Sequence, residues 1–318
     1  MVCRDILGGI VFAEIHSLHS GTATVFRDIP GGTVSQGLDY LGGIVFAGVQ
    51  GLVTNGARVI ITALPTDPID SAVSELNALG GPSGGTAEGF PSDLSTKPAI
   101  AALAAHLTAT LALPHLDILV SNAGIRRDAR QPCDVLAADL PTLQASLWSH
   151  AHADWAATFA VNTTAHYFLV VALAQLLAAG ATREVEGGLK GSDVGCGCVV
   201  ITSSCASMHN CTNVDLTSYA ASKAATDHLV AILAAKFARW YVRVNGINPG
   251  FVPSNMNPVG AEGNMFANLF DKVPAKRAGK LEDISGTVLY LCSQAGAYVD
   301  GRCLCVDGGR VLVANGQE

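Results

Sequence analysis

The feature that most constrains this chain is a repeated alternation of short β-branched runs with amphipathic helical segments. "ARVIIT" (57–62), "LDILVSNAG" (116–124), "CGCVVITSS" (196–204) and "VRVNGINPG" (242–250) are near-continuous apolar runs ending in hydroxyls, amides or glycine. Such runs suit strands buried on both faces. Between them lie helical patterns. "DPIDSAVSELNALG" has Asp near its start and Gly at its end, and "KPAIAALAAHLTATL", a long segment over 151–179, another over 219–239 and "LEDISGTVLYLCS" come after it. "RCLCVDGG" reads as a last short strand. Strand–helix alternation implies right-handed βαβ units. The expected fold is α/β, a single doubly wound parallel sheet with helices on both faces, and ligands sit beyond the carboxyl ends of its strands.

Composition narrows the function classes. The chain has 318 residues, 49% hydrophobic and 14% charged, enough for a large core. A net charge of −7 offers no basic stripe for nucleic acid. The N-terminal apolar run is too short for a secretory leader. The apolar stretch 167–181 is broken by Gln175 and falls short of the ~20 residues of a membrane span. A cytoplasmic protein with no membrane partner is expected. The nine cysteines include two C-x-C pairs, Cys196/Cys198 and Cys303/Cys305. Their spacing is tighter than zinc sites use, so buried reduced thiols and no metal are expected. His150 and His152 would diverge by about 200° on a helix, which reads as a surface pair. The Gly-rich stretches 80–92 and 180–195 read as surface loops inside one domain, because the alternation resumes after each.

Chemistry concentrates around "TSYAASKAATDHLVAIL". Tyr219 and Lys223 lie four apart at the start of a helix and share a face. A nearby ammonium favours the phenolate and brings a phenol toward acid/base use. Upstream, "VVITSSCAS" ends a strand in hydroxyls, and "FAVNTTAHYF" sets Asn162 inside an otherwise apolar helix where Asn is costly. "SNAG" and "NPG" stand at strand ends.

This ordered set, with the tail "GTVLYLCSQAGAYVDGRCLCVDGG", resembles the short-chain dehydrogenase/reductase family, over roughly residues 14–316 and nearest its 3-oxoacyl-(acyl carrier) reductase branch. The resemblance implies a Rossmann-type domain over 21–318, a poorly defined extension over 1–20 and a substrate lid about 251–279. It implies a hydride transfer between a nicotinamide cofactor, NADP in preference to NAD, and a small carbonyl or alcohol substrate. Tyr219 would be the acid/base. Lys223 would lower its pKa and hold the nicotinamide ribose. Ser204 would orient the substrate oxygen, and Asn162 would support a proton-relaying water. Asn122, Ala123 and Gly124 would line the adenosine side with Asp93. Pro249, Gly250, Val252 and Ser254 would flank the nicotinamide and phosphates. Gly42, Gly43 and Ile44 would belong to the phosphate loop. A homodimer or homotetramer is implied, paired through the helices over 151–179 and 219–239.

Two departures stand out. Tyr219 comes fifteen residues after Ser204, a long interval, which leaves Ser203 and Ser207 as alternative hydroxyls. The family's strand–T-G-x-x-x-G-x-G–helix opening is also altered. With 22–26 as the first strand, "RDIPGGTVSQGLDYLGGIV" comes next, about a dozen residues longer than the motif, and Val45 stands in place of its last glycine. Arg27 and the loop's glycines suit a remodelled phosphate cradle. The alternative is a loop that binds nothing, in a catalytically impaired partner protein. "LGGIVFA" occurs identically at 7–13 and 41–47, a local duplication or a misassembled N-terminus.

Overall fold

The computed structural model describes residues 10–15, 43–208, 214–253 and 273–314. In chain order the elements are β1 (Ile10–Ile15), α1 (Gly43–Thr54), β2 (Ala57–Thr62), α2 (Ile69–Gly80) and β3 (Thr86–Gly89). Next come α3 (Lys97–Ala105), β4 (Ile118–Ser121), α4 (Leu140–Trp148), α5 (His152–Phe159) and α6 (Ala165–Thr182). The last are β5 (Cys198–Thr202), α7 (Thr217–Phe237), β6 (Arg243–Pro249), α8 (Leu281–Cys292), β7 (Cys303–Val306) and α9 (Arg310–Ala314).

The strands form one seven-stranded sheet in the order β3-β2-β1-β4-β5-β6-β7. Alternation along each strand feeds two cores. Val59 and Ile61 of β2, Val120 of β4 and Val200 of β5 pack with Val53 of α1 and Val288 of α8. Ile60, Leu119 and Val199 pack on the other face with Leu103, Leu173 and Val230. Gly51 of α1 lets that helix approach α8, since a Cβ there would stand 3.2 Å from Leu289.

Six strands are mutually parallel where they pair, as expected, and β1 is the exception. It runs antiparallel to both neighbours, with Ile10 opposite Thr62 and Ser121 and Ile15 opposite Ala57. The expected first strand, 22–26, lies outside the described residues, and the first strand among those described falls within 1–20, the stretch expected to precede the domain. The slot between β2 and β4 has open ladders on both sides, and the six-residue strand Ile10–Ile15 satisfies both. Reversal has a structural consequence. The carboxyl end of β1 lies at the sheet edge away from the carboxyl ends of β2 and β4, so no short turn joins β1 to the start of α1.

Two further expectations change. The stretch 80–92 is not all loop, because it holds β3, a four-residue edge strand. A short edge strand needs backbone pairing on one side only, so a Gly-rich sequence serves. Gly85 is required there, since a Cβ would lie 2.0 Å from the Val53 carbonyl oxygen. The helix over 151–179 is α5 and α6 joined by a π-helical turn, Ala160–Thr164. This run, His152–Thr182, is long and apolar enough to cross a membrane, but Leu169, Leu173 and Leu177 are buried in the core.

Cysteine placement follows the sheet. Cys196, Cys198 and Cys292 are buried, and burial pushes the Cys196 thiol up to about 12. Among the described residues no three His, Cys, Asp or Glu side chains come together as a metal site.

Candidate active site

The π turn matters because it carries Asn162, fully buried, between two ordinary helices. Such one-turn bulges re-aim a side chain without ending the helix. The Asn162 carboxamide clamps one residue beyond the "SNAG" turn: its Oδ1 accepts the Ile125 N–H at 2.8 Å and its Nδ2 donates to the Ile125 carbonyl at 2.9 Å. The same Nδ2 donates to Ser222 Oγ at 2.9 Å. Thr226 donates its hydroxyl to the Asn162 carbonyl at 2.6 Å. The segments carrying Gly124, Asn162 and Lys223 are thereby fastened together.

Lys223 is buried on α7, and its ammonium donates to the Thr202 carbonyl at 2.8 Å. It lies 5.8 Å from the centre of the Tyr219 ring. Burial lowers its pKa to about 8, with Asp227 acting in the opposite direction. A Cβ at Gly124 would stand 3.4 Å from Lys223 Nζ and 3.6 Å from Asn162 Oδ1.

Tyr219 is half-buried in the first turn of α7. Burial raises its pKa, and a hydrogen bond with Ser204 opposes the rise, followed by the charge of Arg126. Lys223 is not among the groups that act on the phenol here. In the chain by itself desolvation wins, and the lysine faces a backbone carbonyl.

The choice among the serines is decided by their partners. Ser203 is turned into the core and donates to the Lys223 carbonyl at 3.0 Å. Ser207 accepts from Asn248 Nδ2 at 3.0 Å. Ser204 Oγ accepts the Ala206 N–H at 3.1 Å and is the serine close enough to Tyr219 to act on its phenol. Asn248, the first residue of "NPG", was not singled out from the sequence. Its Nδ2 also donates to the Ser204 carbonyl at 3.2 Å and to Asp227 at 2.9 Å, so it fixes the serine loop against α7. A buried amide ending a strand was the available signal.

The remaining expected residues divide. Thr62, Leu64, Asp93, Leu94, Ala123 and Val161 line one open cleft beside β2 and β4. Asp93 is exposed there and accepts the Ser95 N–H. Asp67, in the turn after β2, accepts the Leu64 N–H at 3.1 Å. Pro249 ends β6, Gly250 donates its N–H to the Val306 carbonyl, and Val252 is buried against the core. Phe251, Val273, Arg277, Asp307 and Gly308 border a second open cleft beside β6 and β7. Gly43 and Ile44 begin α1. Gly42, Ser254, Arg27 and the central part of the expected lid, 254–272, lie outside the described residues.

These groups fit the two ends of a nicotinamide dinucleotide. Asn122 Oδ1 and Thr202 Oγ1 are buried polar atoms at strand ends with no partner among the described residues. Such atoms are costly unless a ligand or water satisfies them. The cleft beside Asp93 and Ala123 suits an adenosine. The helix α1 is about 18 Å long, and its amino end, with unpaired N–H groups and positive dipole, suits a phosphate. β1 runs opposite to the direction in which a strand would lead straight into that end of α1.

One expectation outside the cleft is overturned. His150 is not a surface residue: its side chain is 7% exposed and its Nε2 lies 2.6 Å from Asp215 Oδ2.

Comparison with known proteins agrees with this arrangement. Residues 40–310 match the family described as Enoyl-(Acyl carrier protein) reductase. The short-chain dehydrogenase/reductase PhomF of Diaporthe leptostromiformis is 31% identical over 272 residues, 83% of this chain and 86% of its own. The 7alpha-hydroxysteroid dehydrogenase of Escherichia coli is 29% identical over 263 residues, 82% of this chain and 88% of its own. The Pseudomonas aeruginosa RhlG/NADP active-site complex superposes with a TM-score of 0.70 at 26% identity, covering 85% of this chain and 93% of that one. With the Ser–Tyr–Lys–Asn cluster at the carboxyl ends of a Rossmann-type sheet, these likenesses show that the chain belongs to the short-chain dehydrogenase/reductase family of oxidoreductases.

Proposed function

We propose that this protein reduces a ketone, with Tyr219 as the proton donor and NADP, or NAD, as the hydride source. The observation that carries the reading is the grouping of Tyr219 with buried Lys223, whose Nζ lies 5.8 Å from the ring centre, and with buried Asn162 on the facing π turn. When bound, the nicotinamide supplies the hydride to the carbonyl carbon. Tyr219, a phenol protonated at neutral pH whose burial raises its pKa further, gives its proton to the carbonyl oxygen. Ser204 orients that oxygen and steadies its developing charge. Lys223, charged below about pH 8, offers its remaining N–H donors to the nicotinamide ribose and favours the phenolate left after transfer. Asn162 holds the "SNAG" turn in place and supports a water on the proton path.

A Tyr–Ser pair addresses a carbonyl oxygen, which favours a keto group over a carbon–carbon double bond as substrate. The curated relatives named as a hydroxysteroid dehydrogenase and a 5-keto-D-gluconate 5-reductase point the same way. The NADP of the RhlG complex favours NADP, although no basic residue lines the cleft beside Asp93. A cytoplasmic homodimer or homotetramer paired through α6 and α7 accords with the exposed Tyr167, Val171 and Ile232 on those helices. The reversed β1 favours a second reading, a complete catalytic set with impaired nucleotide binding.

Titration of the purified protein with NADPH and NADH, followed by nicotinamide fluorescence, separates the two readings. Micromolar binding, then turnover in a ketone screen, supports the reductase. No binding at millimolar cofactor sinks it.

A further inference from the structure

The amino end of α7 must hold the Tyr219 hydroxyl within a fraction of an ångström of a reacting oxygen. It is poorly placed to do so alone. Leu216 at its cap position makes no side-chain capping bond, and Tyr219 is only the third residue of the helix.

Asp215 takes the cap's place. Its Oδ1 accepts both the N–H of Thr217 at 2.9 Å and the Thr217 hydroxyl at 2.5 Å. Its other oxygen accepts from His150 Nε2 at 2.6 Å, and the two side chains are 7% and 8% exposed. His150 lies between α4 and α5, and α5 leads directly into the π turn that carries Asn162. The pair therefore ties the start of the tyrosine helix to the segment that positions the asparagine. A charge-assisted bond out of water is strong and directional, unlike an exposed ion pair. The ring's Nδ1 is buried with no partner among the described residues, so the histidine is held chiefly through Asp215.

We propose that His150 is a positioning residue for the proton donor, acting through Asp215 to set the first turn of the helix that carries Tyr219. The proposal rests on the ketone-reductase reading for its effect on turnover, but not for its effect on helix order.

The test compares wild type with His150→Ala, His150→Gln and Asp215→Ala by steady-state kinetics and amide hydrogen exchange. His150→Ala should lower kcat about tenfold, leaving the cofactor KM within about twofold. His150→Gln, whose amide nitrogen also donates to Asp215, should recover kcat to within about threefold of wild type. Exchange over 217–220 should quicken about tenfold in His150→Ala and Asp215→Ala while α6 and α8 keep their protection. Unchanged kcat and unchanged exchange in His150→Ala overturn the proposal, as does a uniform rise in exchange across the chain. Should His150→Ala not fold, Asp215→Asn carries the same exchange test. If the wild type reduces no ketone, the reductase reading fails, and the local exchange pattern alone decides the role of His150.

Discussion

Residues 10–13 and 44–47 are the same four, Ile-Val-Phe-Ala, each preceded by Leu-Gly-Gly. The first set lies in the central strand β1, and the second in the first turns of helix α1. The two copies continue differently. After the second come Val49, Leu52 and Val53 at helical spacing, all buried, and an Asn55-Gly56 stop. After the first comes only Glu14-Ile15, and its conformation is supplied by the ladders of β2 and β4 on either side. One copy is governed by its own continuation, the other by strands far along the chain. The same contrast separates two corners of the site. The catalytic corner is built from ordinary βα units and closely bonded, whereas the nucleotide corner hangs on a reversed strand.

The comparison can be broken from either side. The largest effect expected is from Tyr219→Phe, which should cut turnover by about 10²–10⁴-fold. Cofactor affinity should stay near wild type, because the ring's packing is kept. Equal losses of both would show that the corners are not independent.

His166 gives a second handle on the catalytic corner. It is fully buried, 2.6 Å from Ser121 Oγ, and burial, then the charge of Lys223, lowers its pKa to about 3. Between pH 6.5 and 3 the unfolded chain takes a proton that the folded one refuses. Stability from this group is thus complete above about pH 6.5 and is lost as pH falls, by up to about 1.4 kcal/mol per pH unit. Urea midpoints measured against pH should show a flatter acid limb in His166→Asn. An identical limb would place the acid sensitivity elsewhere.

Gly85→Ala presses on α1 at the end remote from its phosphate-facing amino end, where the added Cβ would meet the Val53 carbonyl. A loss of about 1–3 kcal/mol in a denaturant melt is expected. The smallest effects bear on the repeat itself. Val11→Ala should destabilise and Val45→Ala should be neutral or stabilising, each by under about 1 kcal/mol, because valine favours strands and alanine helices. Equal signs would mean that the two copies do not differ in conformation.

Much of this was legible along the chain. "ARVIIT" and "CGCVVITSS" are strands because β-branched runs bounded by turn residues suit a sheet covered on both faces. Tyr219 and Lys223 were legible by helical spacing, and Asn162 by its cost inside an apolar helix. Other features left no local trace. β3 is a Gly-rich segment that becomes a strand only when β2 offers an edge. Asn248 and Asp227 meet only after β6 and α7 pack, since 21 residues separate them. His150 read as surface because its partner, Asp215, is 65 residues away.

By itself the sequence determined the alternation of elements and the buried strands, and it nominated Tyr219, Lys223 and Asn162 with a choice of three serines. These depend on periodicity, propensity and side-chain chemistry within a few residues. The tertiary structure alone decided which serine faces Tyr219, how burial and charge act on Tyr219 and Lys223, and which copy of Ile-Val-Phe-Ala becomes a strand. Each of those is a property of neighbours: desolvation and ladder pairing arise only when distant segments pack together.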